Sequence, residues 1–265
     1  MTAGTLTAPI PVLQVASLGR RAVVRTARQP ANVIFPLVFP MLLLAVNSGG
    51  LKAETRLPGF PTSSFLAFAL AVPFVQGALL ATISANVDFA RDIQTGFLNR
   101  LALTPVRALI LLVGQLGGLV TIALVQAVFY LAVGIAFGVR LESGAGGAAL
   151  LLLLETVIAF GFAALGSWAA LRTGSTEAVQ GLFPAFFVFL FLSSMSIPRN
   201  LMEHGWFRWI ATVNPVSYLI EAVRSLVIEG WNFEAIGLGF AVCGGMSLLG
   251  FALAARALVH RLERT

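Results

Sequence analysis

Six apolar runs, each close to the length of a bilayer crossing, constrain this chain more than any other feature: 30–46, 65–87, 108–137, 148–171, 179–197 and 233–259. A helix needs about 20 mostly apolar residues to cross the hydrocarbon. Within lipid, backbone polar groups must find partners inside the protein, so runs of this kind fold as helices. The composition agrees, because 58% of residues are hydrophobic and only 11% charged, where a soluble domain carries about 25% charged residues. The expected fold is therefore an all-α membrane protein with six transmembrane helices. Residues 1–29 form a cytoplasmic N-terminus with an interfacial helix, and 30–265 form one membrane domain. The 265 residues leave no room for a soluble catalytic domain. Pro36 and Pro40 interrupt the first run, so that span is expected to be kinked and packed inside the bundle, where neighbours can serve the freed carbonyls.

Charge sets the orientation, because basic residues gather on the cytoplasmic side. With the N-terminus inside, the cytoplasmic segments hold eleven arginines against four acids, a net of +7. The outer segments hold six basic and six acidic residues, a net of zero. Six spans with both termini cytoplasmic in the plasma membrane follow. The overall charge of +6 thus reads as a topology signal, and no nucleic-acid partner is expected. Residues 1–19 lack the compact apolar core of a cleaved signal peptide. The single cysteine, Cys243, lies in an apolar run, and the only histidines, His204 and His260, are far apart. Neither a disulfide nor a metal site is expected.

Two segments are not simple spans. Residues 12–29 place Val12, Leu13, Ala16, Val23 and Val24 beside Arg20, Arg21, Arg25 and Arg28. This pattern suits a helix lying in the interface or a plain positive anchor. Residues 198–232 form an outer segment with Trp206, Trp209, Tyr218 and Trp231. Asn214-Pro215 is a helix start, with Asn as cap and Pro in the first turn. Val216, Leu219, Ile220, Val223 and Val227 then fall at helical spacing, and Glu221 and Arg224 are spaced to pair. The helix is too short and charged to span, so it is expected to be re-entrant or interfacial, capping a pathway or serving as a lid.

Inside the spans, Glu155 is the one deeply placed ionisable residue. An ionisable group in hydrocarbon costs about 2.5–3.5 kcal/mol on insertion scales and points to function. Gln126 lies at similar depth and is its expected partner. Glu155 either lines a cavity for a cationic amphiphile or is protonated and bonded within the bundle. Phe183 and Phe187 in the fifth run are candidates for an apolar pathway. Gly114/Gly118 and Gly134/Gly138 are small-residue pairs that permit close helix approach.

Between the second and third runs lies a polar island, 88–105. On a helical wheel Asp88, Asp92, Thr95 and Asn99 share one arc, and Phe89, Ile93, Phe97 and Leu101 lie opposite. Arg100 breaks the apolar arc, so Gly96 is expected to divide the helix, and Thr104-Pro105 ends the segment. An amphipathic cytoplasmic helix joining two spans can transmit a push from a soluble partner. The chain has no Gly-x-x-x-x-Gly-Lys-Ser/Thr loop for phosphates, and its sole lysine, Lys52, stands between Leu51 and Ala53. If ATP drives this protein, another chain must supply the ATP site.

At this point the sequence resembles type 2 ATP-binding-cassette permeases, in particular the daunorubicin-resistance-like drug exporters. Arg91-Asp92, Gly96-Phe97-Leu98, Arg100-Leu101 and Leu103-Thr104-Pro105 look like the coupling signature of that family. Asn214-Pro215, Tyr218 and Glu221-Ala222-Val223-Arg224 look like its second feature, before the last span. Asp92 stands where many members carry Glu, and Phe97 where many carry Thr. The resemblance implies an N-terminal elbow helix, a coupling helix after the second span and re-entrant helices before the sixth. It also implies a dimer, most simply a homodimer, bound to two copies of a separate ATPase that carries ATP and Mg. Docking to that ATPase would fall on Asp88, Arg91, Asp92, Gly96, Phe97, Leu98, Arg100 and Leu101. The chain itself would bind no cofactor and catalyse no reaction. Its cargo would be an amphipathic drug-like or lipid-like molecule. Export of a lipid-linked saccharide or polymer precursor keeps the same architecture, and a proton-driven secondary transporter would need Glu155 as carrier.

Overall fold

The computed structural model describes residues 11–96 and 108–262. Helix α1 spans Pro11–Ala27 and α2 spans Pro30–Gly50, with Pro30 in its first turn. A 3-10 turn, Lys52–Arg56, leads to α3, Phe65–Ala69, whose start is capped by the Ser64 hydroxyl accepting from Ala67 N–H. Helix α4, Ala71–Gln94, continues the same apolar span. Helices α5, Ala108–Ala136, and α6, Gly144–Thr173, are unbroken. The fifth run becomes α7, Thr176–Gln180, and α8, Leu182–Phe191. Helices α9, Trp206–Val213, and α10, Pro215–Arg224, follow. A π turn, Ser225–Glu229, precedes α11, Phe233–Leu262. Among the described residues, five helical stretches are long and apolar enough to cross a membrane, and Thr176–Phe191 is a shorter apolar sixth.

Helix α4 is the most enclosed of these, with 83% of its apolar window buried. It packs against α2, α5 and α6, while α6 also lies along α11. Phe68, Leu70, Phe74, Leu151, Leu154 and Leu219 are fully buried in the shared core. Close approach is achieved through glycine. At Gly77 of α4 the ring of Tyr130 occupies the space a Cβ would need. We expect Gly77→Val to remove most folded protein from the membrane, measured as monodisperse yield, because overpacking a tight core costs about 1–3 kcal/mol or more.

Two expectations change. Helix α2 is peripheral rather than enclosed. Only 17% of its apolar window is buried, and Ile34, Phe35, Val38, Leu42 and Val46 are exposed. The carbonyl freed by its proline is nevertheless served from the bundle, since Pro40 has no N–H for the Pro36 carbonyl and the Tyr130 hydroxyl donates to it at 2.5 Å. The fifth helix stops at Phe191 instead of running to 197, because side chains from α10 and its cap take the carbonyls beyond that point, as described below. Gly114 and Gly118 permit the close helix approach expected of them, and the neighbour is α1: Gly19 lies over them, its missing Cβ 3.5 Å from the Gly114 carbonyl oxygen.

Candidate functional site

The polar island begins inside a spanning helix. Helix α4 carries Asp88 and Asp92 on its last two turns and ends where Gly96 adopts φ +70°. There Thr95 N–H donates to Arg91 and Gly96 N–H to Ile93. A left-handed φ is open to glycine at little cost, so the division expected at Gly96 is where the helix stops. Phe89 and Ile93 are buried with Leu111, Leu112 and Leu116. The opposite arc faces α1. Arg25 donates to Asp92 at 2.5 Å and Arg21 reaches the same carboxylate at 3.3 Å. Arg25 also lies 3.8 Å from Asp88, which Arg91 meets at 3.3 Å. Asp88 is 5% exposed. The carboxylates singled out for docking are thus engaged by α1, while Arg91 remains half exposed. Phe97, Leu98, Arg100 and Leu101 lie outside the described residues.

At the other end of the bundle, α10 closes the broken fifth helix. The Asn214 side-chain oxygen Oδ1 accepts from Val216 N–H, which caps α10, and the side-chain amide nitrogen donates to the Phe189 and Leu192 carbonyls at the end of α8. Pro215 occupies the first turn. The Ser217 hydroxyl accepts from Ser194 N–H, and Tyr218 donates to the Thr212 carbonyl at 2.7 Å. The expected Glu221–Arg224 pair is not formed. Glu221 takes a two-pronged bond from Arg199, which also lies over the Tyr218 ring at 4.6 Å. Arg224, 4% exposed, points inward. Its guanidinium donates to the carbonyls of Phe68, Ser194 and Met195 at 3.1–3.3 Å and stacks 3.6 Å over Phe68. Two of these carbonyls, on Ser194 and Met195, lie beyond the end of α8, and Arg224 is bound to them rather than to Glu221. Trp206, Trp209 and Trp231 are exposed, as side chains at headgroup level would be.

Between the two ends, Glu155 and Gln126 are each 1% exposed. Among the described residues they make no hydrogen bond to one another or to any other group, so the expected bond between them is not formed. Gln76 of α4 is equally buried and, among the described residues, equally without a hydrogen bond. It borders a narrow cavity of about 20 Å³ between α2, α4 and α8, lined by Pro40, Leu44, Asn47, Phe187 and Leu190, with room for about one water. The Phe187 ring lies tilted 4.5 Å from that of Phe183 and 6.4 Å from that of Phe39 in α2.

The sequence profile of the ABC-2 type transporters matches residues 13–228, from α1 into the π turn after α10. The chain belongs to the ABC-2 type transporter family. Among similar proteins is a probable doxorubicin resistance ABC transporter permease, DrrC, of Mycobacterium tuberculosis, 26% identical over 79% of this chain and 75% of that one. A putative transport permease, ycf38, of Pyropia yezoensis is 26% identical over 84% of this chain and 77% of that one. ABC transporter G family member 20 of Dictyostelium discoideum is 28% identical over 69% of this chain and 25% of its own length.

In this ABC-2 type permease two buried polar features escaped sequence reasoning. Gln76 lies in Val75-Gln76-Gly77, and its signal is a polar residue within an apolar run. Asn86 joins α4 to α6: its amide donates to the Thr82 and Ala163 carbonyls, and the Ser167 hydroxyl donates to its oxygen at 2.8 Å. Asn86→Leu should destabilise the permease by about 1–3 kcal/mol, the range for leaving buried polar groups unpaired, read as a lowered thermal midpoint in detergent. An unchanged midpoint would remove the network from the account of α4–α6 packing.

Proposed function

We propose that this permease is the membrane subunit of an ATP-driven exporter. It would pair with a second permease copy and with separate ATPase subunits that hold ATP and Mg, and move an amphipathic drug-like or lipid-like molecule outward. The observation that carries this reading is the course of α4. One helix runs from the Gln76 cavity at the bundle core to the Gly96 end, where the island begins. A push on 88–105 from an ATPase would be delivered along α4 to the groups that line the cavity. Helix α1, tied to Asp88 and Asp92, would move with it. The orientation follows the charge asymmetry, with both termini cytoplasmic and the Glu221 end outside. The doxorubicin-resistance name of one relative and the aromatic, weakly polar lining of the cavity favour an amphipathic cargo. Transport requires two conformations that the partner contacts differently.

The test is efflux of a fluorescent amphiphile from cells. Deleting the ATPase partner should abolish efflux, and Glu155→Gln should retain it. The reverse pattern would identify a proton-driven carrier and overturn the proposal. Within the island, Arg100→Ala or Phe97→Pro should stop efflux while the permease stays in the membrane fraction, and wild-type efflux from both would sink the docking role.

A further inference from the structure

Helix α1 carries four arginines within nine residues, and they divide into two sets. Arg21 and Arg25 are committed to Asp92 and Asp88. Arg20 and Arg28 are exposed and meet no carboxylate among the described residues. Both sets border one open cleft of about 490 Å³, lined by Arg20, Arg21, Val24, Arg25, Arg28 and Gln29. The two acids offset two of the four charges, so the cleft keeps a surplus of about two positive charges. Its depth is set by packing, since Gly19 of α1 rests on Gly114 and Gly118 in the first turns of α5. That places the cleft at the end of the spans, where headgroups lie. From it, α2 runs away with an exposed apolar stripe, Ile34, Val38, Leu42 and Val46, one residue per turn.

We propose that this cleft binds the headgroup phosphate of an anionic phospholipid, with the acyl chains along the α2 stripe. Arginine offers paired N–H donors that match phosphate oxygens. A basic pocket beside membrane helices recognises anionic lipid, with about 1 kcal/mol, or about fivefold, contributed per arginine near the surface. The apolar stripe leading from the cleft selects a lipid over a free anion or an acidic protein patch, neither of which has a use for it. The occupied cleft would hold α1 at the membrane surface while Arg21 and Arg25 hold it to α4.

The experiment uses the purified full-length chain in detergent, with phosphatidylglycerol or phosphatidylcholine of identical acyl chains added, and reads bound lipid by native mass spectrometry. Wild-type protein should retain phosphatidylglycerol well above phosphatidylcholine. Arg20→Gln with Arg28→Gln should weaken the phosphatidylglycerol complex about thirtyfold, and Arg20→Lys with Arg28→Lys, which keeps the charge and reports on folding, should preserve most of it. Arg172→Gln with Arg256→Gln should leave binding unchanged. Equal retention of the two lipids, or a phosphatidylglycerol preference that survives the Arg20/Arg28 glutamines, overturns the proposal. So does an equal loss from the Arg172/Arg256 control, which would show diffuse charge. Displacement of the lipid by millimolar inorganic phosphate would assign the cleft to a free anion and overturn the lipid assignment.

Discussion

Asp92→Arg is expected to abolish efflux while the permease remains in the membrane fraction. Asp92 accepts from Arg25 at 2.5 Å and lies 3.3 Å from Arg21, so the substitution sets a third guanidinium beside two others. Hydrogen bonds to charged groups contribute about 1.5–3 kcal/mol each, and here one side of the cluster is only 15% exposed, which limits screening by solvent. The packing of Gly19 on α5 remains, so α1 stays attached at that point and loses its grip on the end of α4. A push entering at the island would then no longer move the two helices together. Efflux should fall at least about tenfold, the equivalent of about 1.4 kcal/mol. Arg25→Asp in the same molecule should recover part of the activity by rebuilding the strongest pair in reverse. Recovery stays partial because the contact of Arg25 with Asp88 becomes repulsive. Efflux at the wild-type level from Asp92→Arg alone would show that the α1–α4 cluster plays no part in transport.

The second large effect is expected at Arg224. Arg224→Met keeps the length and apolar stem of the side chain and removes a guanidinium that serves carbonyls on three residues, Phe68, Ser194 and Met195. Each buried acceptor left without a donor costs about 1–3 kcal/mol. With three affected, the loss is of the order of a whole domain's stability, about 5–15 kcal/mol. The expected result is failure to accumulate folded permease, read by monodispersity after extraction. Arg224→Lys should rescue poorly, because one ammonium cannot reproduce the planar fork that reaches three carbonyls and stacks on Phe68. Glu221→Gln serves as the contrast. It weakens a part-exposed pair with Arg199, of the kind that contributes about 0–1 kcal/mol, and should leave folded yield near normal. Full yield from Arg224→Met would mean that water serves the carbonyls and that the end of α8 is wet.

The two effects differ in how far they were legible beforehand. The island was visible as charge in a greasy chain, and Gly96 as its break, because a glycine after two helical turns of alternating faces has few other uses. The Asn214-Pro215 helix start was visible because capping is local, a matter of residues one or two apart. The role of Arg224 was not. By spacing it belongs with Glu221, three residues away, and only the early end of α8 makes acceptors on Ser194 and Met195 the stronger claim. Asp88 and Asp92 looked like a surface for a partner because Arg91 alone stands near them in sequence, and the α1 arginines that engage both lie more than sixty residues upstream.

Taken alone, the amino-acid order determined that this chain is a helical membrane protein, where its apolar runs and its polar island fall, and that no phosphate-binding loop accompanies them. Those conclusions rest on lipid excluding water from the backbone over about 20 residues at a time, a property of each run by itself. Which side chain satisfies which buried group was decided by the tertiary structure. Tyr130 reaches the carbonyl freed by Pro40, Asn86 bonds to α6, Arg224 serves the open end of α8, and Arg21 and Arg25 meet the two aspartates. A polar group removed from water takes the donor or acceptor that packing brings within about 3 Å, and sequence distance places no limit on where that partner comes from.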